Sequence, residues 1–172
     1  MDVTEKVIDD ILRREGGYVD DVLDRGGATN FGVTQKTLAR WRGHPVSRED
    51  VRTMLRSEAE DIYRAEYVRP LLFALDDPKL FAHLVDCAIN HGVGGATKLL
   101  QRALGITADG AFGARSMAVY RMANKFILGD KLIVERSLYY VRIVKEDPSQ
   151  LRFLEGWMKR CMEFLVEPGV NA

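Results

Sequence analysis

Apolar residues recur every three or four positions along most of this chain, which is the period of an amphipathic α-helix. The first stripe consists of Val7, Ile8, Ile11 and Leu12. Thr4 is placed to cap the helix that carries this stripe. A second stripe lies on residues 78–91, which are apolar enough to form the central helix of the fold. The pattern predicts a mainly α protein.

Capping residues predict where most of the helices begin and end. Thr34 is expected to cap a short helix that reaches Trp41, and Ser47 with Asp50 resembles a capping box that opens one long helix as far as Tyr63. Asp77 precedes Pro78 at the expected start of the central helix, which should end at Gly92. Glycine at 105 ends the next helix, and three further helices are expected at about 113–128, 130–146 and 149–166.

Residues 18–33 interrupt the helical period and contain three glycines. This composition is typical of a loop, and we expect it to hold a small β-hairpin. A second tight turn is predicted at Asp109-Gly110.

Composition and charge exclude several classes of protein. The 172 residues suit one compact domain or two small lobes, and 47% of them are hydrophobic. Lys and Arg number 25, as do Asp and Glu, so no general attraction to nucleic acid is expected. The sequence predicts neither a signal peptide nor stable insertion in a membrane. Cys87 and Cys161 fall in helical patterns and are expected to be buried free thiols.

The candidate chemistry begins at Glu15, which stands at the expected end of the first helix and is followed by Gly16 and Gly17. A general acid for glycosidic cleavage must stay protonated near neutral pH. The partial negative charge of a helix C-terminus and burial under the next loop both favour the protonated form of a glutamate. The alternative is a solvated glutamate before a glycine C-cap, and the segment alone leaves both open.

The stretch from Glu15 to Thr34 reads EGGYVDDVLDRGGATNFGVT and resembles the signature of glycoside hydrolase family 108, EGGYVNDPxDPGGATNxGIT. This resemblance implies a lysozyme-like helical fold, N-acetylmuramidase activity and a catalytic acid at Glu15. Asp21, Val22 and Arg25 depart from the family pattern, which alters the stiffness of the loop more than its chemistry.

Phage-type lysozymes are similar in a looser way, with an aspartate nine residues after the catalytic glutamate and a threonine further along. By that likeness Asp24 is the second carboxylate and Thr29 helps to hold the attacking water. Asp20 and Asp21 remain alternatives to Asp24. The likeness fits an inverting reaction, for which the carboxyl groups lie about 6.5–9.5 Å apart, against about 5–5.5 Å in retaining enzymes.

The resemblance continues through IYRAEYV at 62–68, through 85–116 and through GWMKR at 156–160. It implies a hydrolase segment at 1–92 and a peptidoglycan-binding-like segment at 93–172, packed as one unit. Asn90 matches an asparagine of the family and is expected to bind sugar, although capping of its helix is an equal alternative. Trp157 is expected in the core rather than against a sugar.

Three further residues are candidates for binding the substrate: Tyr18 and Tyr139, whose rings suit the faces of sugars, and Asn30, which follows Thr29. His83 and Cys87 lie four residues apart, but no second pair completes a zinc site, so neither a metal nor a cofactor is expected.

The expected function is hydrolysis of the MurNAc–GlcNAc β-1,4 bond in peptidoglycan glycan strands. A lytic transglycosylase and a non-catalytic peptidoglycan-binding module are the alternatives. We expect synthesis in the bacterial cytoplasm and action at the cell wall, reached through a holin-like export partner or by lysis. A phage endolysin and a secretion-assisting muramidase fit equally well.

Overall fold

The computed structural model describes residues 2–20 and 28–165, with Glu15 described by its backbone. Over these residues the chain forms eight α-helices and one two-stranded antiparallel sheet, which confirms the mainly α fold with a small hairpin. Its Cα atoms group into two compact units, Met1–Pro70 and Leu71–Ala172. The division into functional segments at residue 92 stays a prediction.

Four α-helices form the first unit: α1 (Val3–Glu15), α2 (Gln35–Arg42), α3 (Arg48–Arg52) and α4 (Arg56–Tyr63). A π-helical turn at Arg64–Val68 and a 3₁₀ helix at Arg69–Ala74 follow. The predicted apolar stripe of α1 is buried, with Ile8 only 1% exposed. The predicted cap of α1 was wrong, because Asp2 precedes the first turn and Thr4 lies within it, donating its hydroxyl proton to the Asp2 carboxylate.

The hairpin consists of β1 (Thr29–Asn30) and β2 (Val33–Thr34), so it lies at the C-terminal edge of the predicted 18–33 segment. Phe31 and Gly32 connect the strands with φ angles of 50° and 74°. Positive φ at both central residues is the requirement of a type I′ turn, which matches the twist of paired strands. Tyr63 donates a 3.0 Å hydrogen bond to the Phe31 carbonyl and so holds this turn.

The single long helix predicted after Ser47 is broken into α3 and α4. The Ser47–Asp50 capping box is present, as predicted. At the end of α3, however, the Thr53 hydroxyl donates to the Glu49 carbonyl at 2.8 Å, and Leu55 is extended with ψ 146°. A hydroxyl that occupies a helix carbonyl competes with the backbone and favours termination. The sequence pattern missed this break because the apolar stripe continues across it.

The second unit contains α5 (Pro78–Ala103), α6 (Ala114–Met122), α7 (Lys125–Glu146) and α8 (Leu151–Met162), with a 3₁₀ turn at Pro148–Gln150. Asp77 caps α5 by accepting from the backbone N–H groups of residues 79 and 80, as predicted. Helix α5 is kinked at Gly92, where φ is 73° and ψ is 159°. The predicted helix end at Gly92 is confirmed by this non-helical glycine, and a second helical segment follows it as far as Ala103.

The predicted boundary at residue 129 was wrong. Helix α6 ends at Met122, and the Asn124 side chain caps α7 by accepting from the Ile127 N–H. Gly129 lies within α7. A side-chain cap satisfies a free N–H group, and a single interior glycine costs only about 1 kcal/mol, so the cap decided where the helix begins.

The predicted turn at Asp109-Gly110 is present and is held by a side chain of α5. Gln101 donates to the Asp109 carboxylate at 2.8 Å and accepts from the Gly110 N–H at 2.9 Å. Gly110 has a φ of 85°, which favours glycine. This turn connects α5 to the segment that leads into α6.

The core of the second unit includes both cysteines, which are buried and free, as expected. Trp157 is partly buried and stacks on Tyr140 with ring centroids 5.2 Å apart, as expected for a core aromatic. Among the described residues, none of the helices combines the length and apolar character that crossing a bilayer requires.

Candidate functional site

The predicted site begins at the C-terminal end of α1. Glu15 is the last residue of the helix, and Gly16 follows with φ 75° and ψ −166°. A positive φ allows the chain to leave the helix sharply, and glycine adopts it without steric strain. The backbone thus turns abruptly after Glu15, at the first of the two glycines that follow it.

The chain after this turn pairs with the hairpin. Val19 and Thr29 exchange two backbone hydrogen bonds, each 2.8 Å long. Thr29 is half-buried and begins β1. The structure therefore brings the backbone of Thr29 beside Val19, which lies only four positions after Glu15, although Thr29 itself lies fourteen positions after Glu15 in the sequence.

Tyr18 and Asp20 lie on the same short segment. The Tyr18 hydroxyl donates to Asp20 Oδ2 at 3.3 Å, and Arg48 Nη1 lies 3.3 Å from the same oxygen. Partial desolvation, followed by the charge of Asp20, raises the pKa of Tyr18. Asp20 is thus paired with a cation, which makes it a weaker candidate for a catalytic base than an unpaired carboxylate.

Asp21 and Asp24, the other two candidates for the second carboxylate, lie outside the described residues. The choice of Asp24 therefore stays a prediction. The same holds for the carboxyl separation that distinguishes an inverting from a retaining reaction.

Asn30 connects the hairpin to α3. Its side chain is 5% exposed, and its Nδ2 donates to the carbonyl oxygens of Val51 and Arg52 at 3.0 and 3.2 Å. Both amide protons are therefore used within the first unit. The predicted contact of Asn30 with sugar stays a prediction, and the Oδ1 atom is the part of the side chain that such a contact would use.

The two remaining candidates, Asn90 and Tyr139, belong to the second unit. Asn90 is exposed near the end of the first part of α5 and donates to the Asp86 carbonyl at 2.7 Å. That is the bond that the helix-capping alternative requires, and sugar binding by Asn90 stays a prediction. Tyr139 is half-buried on α7 and contacts the His91 ring edge-on, with centroids 4.9 Å apart.

The sequence analysis missed the residues that surround Tyr139. His91, Lys98 and Arg102 line a cleft of about 420 Å³ together with the tyrosine ring. The four-residue spacing of Lys98 and Arg102 was a usable signal, because residues four apart lie on the same face of a helix. Nothing in the sequence indicated that this face meets Tyr139.

Within the described ranges 2–20 and 28–165, His, Cys, Asp and Glu form no group of three or more placed to hold a metal ion.

Comparison with known proteins agrees with this arrangement. The sequence model of Glycosyl hydrolase 108 matches residues 8–92, and that of Predicted Peptidoglycan domain matches residues 95–162. Among solved structures, that of Brucella abortus SagA is 32% identical to this chain and superposes with a TM-score of 0.80. That match covers 94% of this chain and 90% of the other. No curated protein matches the sequence.

The two matched segments indicate the general chemistry of the protein. A glycosyl hydrolase domain joined to a peptidoglycan domain indicates a hydrolase related to peptidoglycan. The abrupt turn after Glu15, the pairing of Val19 with Thr29 and the small hairpin all lie within the hydrolase segment. On these grounds the chain belongs to the glycosyl hydrolase 108 family.

Proposed function

We propose that this protein is an N-acetylmuramidase that hydrolyses the MurNAc–GlcNAc β-1,4 bond of peptidoglycan, with Glu15 as the general acid. The observation that carries the proposal is the position of Glu15. It is the last residue of α1, directly before the left-handed Gly16, and lies inside the segment that matches a glycosyl hydrolase. Gly16 and Gly17 have no side chains, so neither of them obstructs a bulky substrate beside the carboxyl group.

The end of α1 favours a protonated carboxyl group at Glu15. Unpaired carbonyl groups at a helix C-terminus carry partial negative charge, which disfavours a second negative charge nearby. Two cations, Arg13 and Arg14, lie in this last turn, and Arg13 is itself engaged, with Nη2 2.5 Å from Asp9 and 2.8 Å from Asp10. A paired guanidinium stabilises an ionised Glu15 less than an unpaired one does.

In the proposed reaction Glu15 donates its proton to the O4 atom of GlcNAc as the bond from that oxygen to C1 of MurNAc breaks. A water molecule forms the new bond to C1 and gives its proton to Asp24, the group that we propose as base, while Thr29 helps to hold the water. The products are a free GlcNAc hydroxyl and a reducing-end MurNAc, which is the chemistry of an inverting glycosidase. Pairing of Thr29 with Val19 supports its part in this scheme. No metal or organic cofactor is required.

Sugar binding is assigned, as part of the same proposal, to Tyr18, Asn30, Asn90 and Tyr139. An aromatic ring packs against the apolar face of a pyranose while its hydroxyl stays hydrated. Tyr18 is the strongest of these candidates because it lies three residues after Glu15 and is half-buried rather than enclosed in the core.

Peptidoglycan glycan strands are the proposed substrate, so the cell wall is the proposed place of action. A holin-like pore or cell lysis is the proposed route to it. Phage lysis and assistance to secretion are both consistent with this chemistry.

Purified wild-type and Glu15→Gln proteins, incubated with isolated peptidoglycan, provide the test. Mass spectrometry should find fragments ending in reducing MurNAc from the wild type, and Glu15→Gln should be slowed by about 100-fold or more. Glu5→Gln is the matched control, because Glu5 lies on the same helix in an exposed ion pair with Arg64. This variant should retain full activity.

Two outcomes would overturn the proposal. Fragments ending in anhydro-MurNAc would make the protein a lytic transglycosylase. If wild type binds peptidoglycan and releases no fragment, the protein is a binding module.

A further inference from the structure

A cleft of about 420 Å³ lies in the second unit, between Tyr139 on α7 and the part of α5 that follows the kink. Its lining residues are His91, Gly95, Lys98, Leu99, Arg102 and Tyr139. The volume is in the range of sites that bind small molecules. The cleft lies largely within the segment that matches a peptidoglycan domain, residues 95–162.

The kink at Gly92 gives the cleft its shape. With φ at 73°, Gly92 redirects the helix, and His91 approaches Gly95 closely. A Cβ atom added at Gly95 would lie 2.9 Å from the Cβ of His91, a distance that real Cβ atoms do not show. Glycine at 95 is therefore required by this close approach, which sets the His91 ring at one side of the cleft.

The cleft has two cations that form no ion pair within the described part of the chain. Lys98 and Arg102 are exposed and lie four residues apart on α5. No carboxylate among the described residues lies within 4.0 Å of either one. Asp109 is near enough to interact with Lys98, since hydrogen bonds from Ala111 and Gln101 and, to a smaller extent, the charge of Lys98 lower its pKa. Like charges at this spacing destabilise a helix slightly. A bound anion would relieve that repulsion.

His91 is held neutral at the edge of the cleft. Burial, followed by the charge of Arg136, lowers the pKa of His91 to about 4. Arg136 Nε donates to the Tyr140 hydroxyl at 2.8 Å, and that hydroxyl lies 3.3 Å from His91 Nε2. Burial raises the pKa of Tyr140 to about 12, so its phenol keeps its proton beside His91.

The edge-on contact of the imidazole ring with Tyr139 restrains the tyrosine ring at the side of the cleft. A ligand suited to the cleft has negative groups for the two cations and an apolar face for Tyr139.

We propose that this cleft binds the carboxylate groups of a peptidoglycan stem peptide through Lys98 and Arg102, with Tyr139 packed against the adjoining sugar. A glycan strand of GlcNAc alone is neutral, whereas the peptides attached to MurNAc have several carboxylates. Pairing of an ammonium or guanidinium with a carboxylate is stronger than a neutral hydrogen bond. The inference rests on the proposed function, since it assigns the second unit to the same substrate.

The test uses the full chain with Glu15→Gln, so that no ligand is consumed. Isothermal titration calorimetry would measure the affinity of a GlcNAc–MurNAc tripeptide, of the same compound with amidated carboxylates, and of chitotetraose. Lys98→Gln/Arg102→Gln is the cleft variant. Arg121→Gln/Lys131→Gln is its matched control, because it removes two exposed cations of the same unit that do not line the cleft.

The cleft variant should bind the free-acid muropeptide about tenfold more weakly or worse, while the control variant should bind it as the parent does. Amidation of the ligand should lower its affinity for the parent Glu15→Gln protein by a similar factor. It should lower its affinity for the cleft variant little further. Tyr139→Ala should weaken binding, and Tyr139→Phe should not. Circular dichroism melting would establish that each variant is folded.

Equal affinity of the parent and the cleft variant for the free-acid muropeptide would overturn the inference. Competition by inorganic phosphate at the same concentration as the muropeptide would also overturn it, because the cleft would then be a general anion site. Wild-type hydrolysis of peptide-free glycan strands, measured in parallel, separates the two proposals. If the wild type hydrolyses the strands and the cleft variant binds the muropeptide as tightly as its parent, only the proposal for the cleft is refuted. If binding depends on the cleft but the wild type hydrolyses nothing, only the muramidase proposal is refuted.

Discussion

Arg136 Nη2 lies 2.6 Å from Asp86 Oδ2, and the two side chains are 0% and 5% exposed. The pair joins α7 to α5, and Arg160 of α8 donates to the other carboxylate oxygen at 2.8 Å. Burial by itself would raise the pKa of Asp86, but the two guanidinium groups outweigh it and lower that pKa. Three helices of the second unit therefore meet at one ionised carboxylate.

Replacement of Asp86 by Asn should destabilise the protein by about 3–5 kcal/mol, because it leaves the buried charge of Arg136 without a counter-charge. Urea unfolding would measure this as a lower free energy of unfolding. Glu155→Gln is the matched control, since its ion pair with Lys159 on α8 is exposed and should contribute about 0.5 kcal/mol or less. Equal unfolding midpoints for the two variants would contradict the assignment.

His83 makes the second unit sensitive to acid. Its ring is 1% exposed and stacks on Phe164 with centroids 4.4 Å apart, and its Nε2 has no hydrogen-bond partner among the described residues. Burial, followed by the charge of Arg136, lowers the pKa of His83 to about 3. The unfolded chain, with an ordinary histidine pKa of about 6.5, therefore takes up this proton first.

The contribution of neutral His83 to the free energy of unfolding should consequently be fully present above about pH 6.5. It should decrease by about 1.4 kcal/mol per pH unit as the pH falls toward 3. His83→Phe keeps the ring on Phe164 and should reduce this dependence between pH 6.5 and 4. His44→Gln, at an exposed histidine, should leave the dependence as in the wild type. The measurement is the free energy of unfolding as a function of pH across this range. If its slope in His83→Phe equals that of the wild type, His83 does not cause the acid sensitivity.

Local chemistry allowed much of the fold to be predicted. Thr34, Ser47 with Asp50, and Asp77 all cap the helices that they were expected to cap, because a cap depends on a few adjacent residues. The breaks at Thr53 and at Asn124 were not predicted. In both cases the apolar stripe continues across the break, so periodicity alone does not show it.

The candidate site could be predicted only in part, because some of its features are formed by residues that lie far apart in the sequence. The helix end at Glu15 and the hairpin follow from neighbouring residues. The cleft beside Tyr139 does not follow from neighbouring residues. It depends on the packing of α7 beside α5 and on the hydrogen bonds that connect Arg136, Tyr140 and His91. Sequence spacing carries no information on which helices pack together.

Asn30 should contribute more to stability than its place in a short strand indicates. Asn30→Ala removes two hydrogen bonds and leaves the carbonyls of Val51 and Arg52 without these partners, so a loss of about 1–3 kcal/mol is expected. Chemical denaturation would measure this loss. Asn90→Ala, which removes one bond made by an exposed amide, should cost less. Wild-type stability in Asn30→Ala would show that its amide does not hold the hairpin to α3.

The three aspartates after Tyr18 can be distinguished by one set of matched variants, Asp20→Asn, Asp21→Asn and Asp24→Asn. If Asp24 is the base that accepts the proton of water, Asp24→Asn should lower kcat on peptidoglycan by about 100-fold or more, with KM little changed. Asp20→Asn should have a small effect, since the Asp20 carboxylate is paired with Arg48. The largest loss of kcat in Asp20→Asn or Asp21→Asn would move the role of base to that residue and away from Asp24.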